Sequence, residues 1–184
     1  IFQRDTDILT LLPNRRKLFE TLRGFSNPEG TDMLKGLIMA DIDYFKQYND
    51  TFGHQSGDLC LQTLGQCMAG LGSDYGIQFY RYGGEEFAGI ITDNSHGGSA
   101  AADELVKRIS KLNIAGSELS IDGRITISCG YAYLTQCPVP DYETLIRLAD
   151  EALYAAKEAG RNRAAAYKSS TDETLLYMQS MSGK

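Results

Sequence analysis

Ile77-Gln78-Phe79-Tyr80-Arg81-Tyr82-Gly83-Gly84-Glu85-Glu86-Phe87-Ala88-Gly89-Ile90-Ile91-Thr92 is the stretch that decides the fold class. Two runs rich in aromatic and β-branched residues, 77–82 and 87–92, flank a pair of glycines and a pair of glutamates. That pattern reads as a β-hairpin with a glycine-rich, acidic tip. Upstream, the apolar run 37–40 leads straight into Asp41 and Asp43, which reads as a buried strand whose end carries carboxylates. Downstream, residues 125–133 alternate strictly, with Ile125, Ile127, Cys129, Tyr131 and Tyr133 on one face and Thr126, Ser128, Gly130 and Ala132 on the other. This is a further strand.

Helical segments interleave with these strands. Residues 13–25 read as a helix with Thr10 as its candidate cap and Gly24 near its end. A short helix over 44–51 and a Gly-His turn precede a helix over 56–69, with Leu59, Leu61, Leu64 and Met68 expected to face inward. Residues 99–112 carry Ala102, Leu105, Val106 and Ile109 at helical spacing. Residues 142–159 carry Leu145, Leu148, Ala149, Ala152 and Ala156, with Gly160 as the stop. Residues 27–32 are a loop by composition, and the polar tail beyond Tyr167 gives no strong signal. Strands and helices around one sheet that includes a hairpin define a mixed α/β domain.

The chain has 184 residues, 42% of them hydrophobic, which suffices for one core and argues against disorder or a repeat array. With 18 Lys+Arg against 24 Asp+Glu the net charge is −6, which excludes a protein that coats nucleic acid. Cys60, Cys67, Cys129 and Cys137 show no C-x-x-C spacing and read as reduced thiols, and with only 2 histidines no zinc set is apparent. No apolar run is long enough to span a bilayer. The chain opens on Ile1 rather than Met and is read as a domain of a longer protein, in which a membrane anchor or sensor has its place outside this sequence.

Asp41-Ile42-Asp43 and Glu85-Glu86 stand out chemically. An isolated acidic pair is usually solvated loop charge. Carboxylates placed directly after a buried strand sit at the edge of the core, where a cation relieves their repulsion. Oxygen donors without neighbouring His or Cys favour a hard ion such as Mg²⁺. Gly83 and Gly84 allow positive φ and close approach of a ligand, although tight turns need such glycines anyway. Lys157, Arg161 and Arg163 cluster at the end of the last helix and Lys46 follows the first acidic group. Such cations complement the helix dipole, or receive the phosphates of a nucleotide whose metal is held by the acids.

The residues resemble the GGDEF domain, the diguanylate cyclase family. Arg81-Tyr82-Gly83-Gly84-Glu85-Glu86-Phe87 is similar to its signature in the common Glu-for-Asp form. Asp7-Ile8-Leu9-Thr10-Leu11-Leu12-Pro13-Asn14-Arg15 resembles the opening D-x-L-T-G-L-x-N-R, and Asp41-Ile42-Asp43-Tyr44-Phe45-Lys46 the metal strand. Asn49-Asp50-Thr51-Phe52-Gly53-His54 with Gly57-Asp58 resembles the nucleotide segment. Residues 149–157 with Gly160-Arg161-Asn162 resemble the closing helix. The blocks keep family order and spacing from about Asp7 to Tyr167.

The resemblance implies an α+β, palm-like nucleotidyl-cyclase fold with a central, mostly antiparallel mixed sheet flanked by helices and the signature on a hairpin. It implies a catalytic domain over 7–168, preceded at 1–6 by the end of an upstream linker helix and followed by a tail over 169–184. It further implies that Asp41, the carbonyl of Ile42 and Glu85 hold Mg²⁺ or Mn²⁺, with Glu86 completing the acidic site. Asn49 and Asp58 are implied at the guanine edge, where a carboxylate accepts from ring N–H and amino donors. His54 is either part of that pocket or structural. The amides of Tyr44 and Phe45 at a helix N-terminus, with Lys46, Lys157 and Arg161, are implied phosphate ligands.

The implied reaction joins two GTP into cyclic di-GMP with release of two pyrophosphates, Glu85 assisting deprotonation of the attacking hydroxyl. Each domain is then a half-site, so catalysis needs a homodimer, and an upstream sensor or regulatory domain is the expected controller. A cytoplasmic location follows, with tethering through a missing N-terminal region as an option. The competing reading is a catalytically silent module that binds GTP or a protein partner. Such modules usually lose signature residues, whereas Gly83, Gly84, Glu85, Glu86 and Asp41 are all present. Two departures stand out. Leu11 replaces the usual Gly, and Asp74-Tyr75-Gly76-Ile77 lacks the Arg-x-x-Asp of the family's product-inhibition site.

Overall fold

The computed structural model describes residues 2–25, 34–92 and 97–168. The expected loop 27–32 and tail 169–184 lie outside them. The elements are α1 (Phe2–Asp5), α2 (Arg15–Phe25), β1 (Gly36–Ile42), α3 (Phe45–Phe52), α4 (His54–Tyr75), β2 (Gln78–Gly83), β3 (Glu86–Ile91), α5 (Gly97–Lys111), β4 (Ile127–Tyr133), α6 (Tyr142–Glu158) and β5 (Ala164–Ala166). They build a five-stranded sheet in the order β2-β3-β1-β4-β5. Neighbours are antiparallel except β4 and β5, which run parallel.

Because strand side chains alternate between faces, β1 feeds two cores. Ile38, Ala40 and Ile42 pack with Phe45, Leu64, Met68 and Leu105 from α3, α4 and α5. Leu37 and Met39 pack with Leu18 and Leu22 of α2 and Leu145, Leu148 and Leu153 of α6 on the other face. The sheet is thus covered on both sides, and β1 lies at its centre with its carboxyl-terminal end carrying Asp41. At Gly130 on β4 an added Cβ would lie 1.9 Å from the Leu153 nitrogen and 2.3 Å from the Ala149 oxygen. The backbone of α6 therefore rests directly on the strand, which brings the end of α6 to the end of β1.

Four local expectations change. Thr10 does not cap α2; Asn14 does, its Oδ1 accepting from the Lys17 amide at 3.1 Å. Thr10 instead donates from its amide and its hydroxyl to Asp7 Oδ1, both at 2.8 Å. α4 runs from His54 to Tyr75 and ends at Gly76 in the left-handed region. Within it Leu59 faces solvent at 64% exposure, and Cys60 joins Leu61, Leu64 and Met68 in the core. β5 was not expected, since three alanines carry no strand signal.

The outer side of β2 is bridged by Asn14 against Arg81, and the Arg81 amide donates to the Pro13 carbonyl at 2.9 Å. Leu11, where the family pattern has Gly, sits at φ 61. All four cysteines are free, and burial pushes the Cys60 thiol up to about 12. Among the described residues no helix is long and apolar enough to cross a membrane.

Candidate active site

The site forms where β1 ends and the β2–β3 hairpin turns. Asp41 and Glu86 are direct cross-strand partners, and the Ile42 amide donates to the Glu85 carbonyl at 3.3 Å. Like charges placed opposite one another on a sheet repel, so this arrangement calls for a cation. One is present: Lys157 Nζ, in the last turn of α6, lies 2.9 Å from Asp41 Oδ1. Burial raises the Asp41 carboxyl above its ordinary range; Lys157 pulls it back, and Glu85 and Glu86 push it further up.

Beside this cluster a cavity of about 360 Å³ is lined by Phe45, Lys46, Asn49, Asp50, His54 and Glu85. Of the expected nucleotide residues, Lys46, Asn49, His54 and Glu85 are therefore brought together. Asp58 is not in that lining; it is exposed on α4, one turn beyond His54 and so on the same helix side. Asn49 is held by a close fit: a Cβ on Gly57 would lie 1.9 Å from Asn49 Oδ1. That oxygen is buried and has no hydrogen-bond donor among the described residues, leaving an acceptor in the cavity wall without a partner.

Tyr44 caps α3 in the left-handed region at φ 56, with no side-chain cap bond, so the first amides of α3 keep their donors. The Arg161 guanidinium lies 4.7 Å from the centre of the Tyr44 ring and donates from Nη1 to the Lys157 carbonyl at 3.3 Å. Arg161 and Asn162 also have positive φ, 60 and 48. Three left-handed residues without a glycine in one corner of the fold are backbone strain held by the surroundings.

The holder is Asp43, which sequence reasoning grouped with Asp41 as an acid of chemical interest. Its side chain points into the protein, only 2% exposed. It accepts from Thr126 Oγ1 at 2.8 Å, Ser128 Oγ at 2.7 Å and the Asn162 amide at 3.1 Å. One buried carboxylate thus ties β1, β4 and the turn after α6 into a single corner. The polar Thr126 and Ser128 in an otherwise apolar strand were the signal for it.

The hairpin tip is held from the other side. Arg81 donates from Nε and Nη2 to the Gly84 carbonyl at 3.1 and 2.8 Å, and from Nη1 to both Asp7 oxygens at 3.0 and 3.1 Å. Gly84 takes φ 52 in the turn, and the register shifts between Arg81 and Gly83. The opening motif around Asp7 and Thr10 thereby supports the signature loop. Neither motif's sequence signals the contact between them, which spans 74 residues.

No three His, Cys, Asp or Glu side chains among the described residues form a metal set by themselves. The donors expected from the sequence are two carboxylates, Asp41 and Glu85, and the Ile42 carbonyl. All are hard oxygen donors, as suits a divalent ion completed by phosphate oxygens.

A sheet covered on both faces, with paired acids at a strand end beside a cavity lined by Lys46, Asn49, Asp50, His54 and Glu85, defines a mixed α/β domain with an acidic strand-end site. The profile of the family described as "Diguanylate cyclase, GGDEF domain" matches residues 4–163, and the chain belongs to that family. It is 38% identical over 172 residues to the diguanylate cyclase DosC of Escherichia coli, covering 89% of this chain and 35% of that protein. The diguanylate cyclase VdcA of Vibrio cholerae is 38% identical over 159 residues, covering 79% of this chain and 46% of VdcA. The chain thus spans about a third to a half of these relatives' length.

Among solved structures, the GGDEF domain of DgcB from Caulobacter crescentus in complex with c-di-GMP matches with a TM-score of 0.77 and 32% identity, covering 90% of this chain and 97% of that one. The active GGEEF domain of a Vibrio cholerae diguanylate cyclase matches with a TM-score of 0.72 and 31% identity, covering 85% and 98%.

Proposed function

We propose that the domain is a diguanylate cyclase half-site that binds one GTP and, facing a second copy, forms cyclic di-GMP. The observation that carries this is the position of Glu85, which lines the cavity with Lys46, Asn49 and His54 while its backbone is bonded to the strand end that bears Asp41. In this reading Asn49 and Asp58 take the guanine edge. The free amides at the start of α3 receive phosphate oxygens, and Lys46, Lys157 and Arg161 balance their charge. Asp41, the Ile42 carbonyl and Glu85 hold Mg²⁺ or Mn²⁺, with Glu86 beside them. When bound, the metal lowers the pKa of the attacking hydroxyl and offsets charge on the leaving group.

Glu85 accepts the proton of the 3′-hydroxyl. That oxygen forms its bond to the α-phosphorus of the partner's GTP as the bond to pyrophosphate breaks, and the same step in the opposite half-site closes the ring. A homodimer is therefore required, and α1 ends a helix arriving from an upstream regulatory domain, in a cytoplasmic setting where GTP is available.

Feedback through the family's product site is absent in this reading. Asp74 stands where Arg is usual and is paired with Arg108 at 2.8 Å, and Ile77 stands buried where Asp is usual.

The test is incubation of the dimerised protein with GTP and Mg²⁺ followed by nucleotide chromatography. Cyclic di-GMP that disappears in Glu85→Gln supports the proposal. GTP binding without turnover in an enforced dimer would favour the silent module.

A further inference from the structure

The carboxylate assigned to the metal already carries a cation. Lys157 Nζ is 2.9 Å from Asp41 Oδ1, and the two side chains are only 29% and 15% exposed, so water screens the pair poorly. Glu86 faces Asp41 across the strands and the Glu85 backbone is bonded to the next residue. Among the described residues no other Lys or Arg is within ion-pair distance of Asp41, Glu85 or Glu86. Arg161, the nearest alternative in sequence, is committed to the Tyr44 ring and the Lys157 carbonyl. Lys157 is thus the ion-pair partner of Asp41, and among the described residues neither Glu85 nor Glu86 has one.

A divalent ion and an ammonium on one poorly screened carboxylate repel each other. Lysine is a compact charge on a flexible stem, able to leave one oxygen partner for another if the second is offered. The triphosphate offers it.

We propose that Lys157 is an exchangeable counter-ion: it occupies Asp41 while the site is empty and moves onto phosphate oxygens when metal and nucleotide arrive, so that the two ligands bind with positive coupling. The inference rests on the metal reading of Asp41 given above. Metal alone must displace the ammonium with nothing to receive it, and binds weakly. Nucleotide supplies the receiver, and by linkage each ligand strengthens the other by the same factor.

The probe is Mn²⁺, its affinity for the full chain measured by electron paramagnetic resonance with and without a non-hydrolysable GTP analogue. In Lys157→Met and Lys157→Gln, Mn²⁺ alone is expected to bind about tenfold more tightly than in the native chain, while the gain on adding the analogue shrinks by about the same factor. Lys157→Arg, which keeps the charge, is expected to keep weak binding of metal alone. If both neutral variants bind Mn²⁺ no better than the native chain while Asp41→Asn abolishes binding, the exchange is wrong and the metal reading survives. If Asp41→Asn binds Mn²⁺ as the native chain does, the metal reading falls and takes the exchange with it.

Discussion

Arg81 joins Asp7 across 74 residues of sequence, its Nη1 within 3.0 and 3.1 Å of the two carboxylate oxygens, while the same guanidinium holds the Gly84 carbonyl. The signature turn is therefore positioned by a residue of the opening motif.

Replacing Asp7 by Asn is expected to lower turnover by about tenfold or more and to destabilise the fold by roughly 1–3 kcal/mol, measured as cyclic di-GMP formation and urea midpoint. Burial alone would raise the Asp7 carboxyl, but the Thr10 amide, the Thr10 hydroxyl and Arg81 outweigh it and hold it below its ordinary value. A depressed carboxyl stabilises the fold above its unfolded pKa of about 3.9, and that contribution is lost as pH falls through the folded value. Native and Asp7→Asn chains should therefore differ in stability at neutral pH and converge in acid.

Asp41 and Asp43, two residues apart, are expected to behave oppositely. Asp43→Ala strips a buried acceptor from Thr126, Ser128 and Asn162 and should cost roughly 2–4 kcal/mol of stability. Asp41→Asn should abolish product while leaving the melting temperature unchanged or higher, because the raised Asp41 carboxyl makes its ionisation a burden on the fold. That burden sets in as pH rises from about 3.9 through the folded value. Thermal melts of both variants at neutral pH decide the matter. A less stable Asp41→Asn would refute this reading.

Gly57→Ala drives a methyl group into Asn49 Oδ1. The expected result is an intact circular dichroism spectrum with guanine-nucleotide affinity reduced by about tenfold, read by calorimetry with a GTP analogue. Unchanged affinity would remove Asn49 from the base pocket.

Leu11 holds φ 61 with its side chain 71% exposed. Leu11→Gly should remove left-handed strain of about 1 kcal/mol at little loss of packing, raising the melting temperature by roughly 2–4 °C without altering turnover.

The architecture was readable wherever one face of an element is apolar. The alternation over 127–133, two residues shorter at its start than the expected 125–133, the hairpin around Gly83 and Gly84, and the stripe of α6 all sit as their patterns require. Leu59 was misplaced because leucine identity was read as burial, whereas α4 turns Gly57, Cys60, Leu61, Leu64 and Gly65 inward. Small residues there admit Asn49 and the Thr10 carbonyl, contacts that hydropathy does not register. Thr10 was named as the cap on composition, but it bonds locally to Asp7, and the helix starts directly after Asn14. β5 is invisible because alanine favours helix over strand, and parallel pairing with Cys129, Gly130 and Tyr131 makes it a strand. In the site, residue types were legible and their direction was not. Asp41 and Asp43 look alike in sequence, yet one meets Lys157 at the edge of the cavity cluster, half-buried, and the other anchors the interior.

The margins of the sheet bear on how two copies can meet. An open strand edge invites a second chain to add its own strand, an association that is hard to reverse and prone to run on into aggregates. Here β2 is bridged at Arg81 by Asn14, and β5 spans only three residues, so neither side presents a long ladder. In the proposed dimer the partner domain is thus left to approach through side-chain surfaces, a form of contact that can be made and released once per turnover.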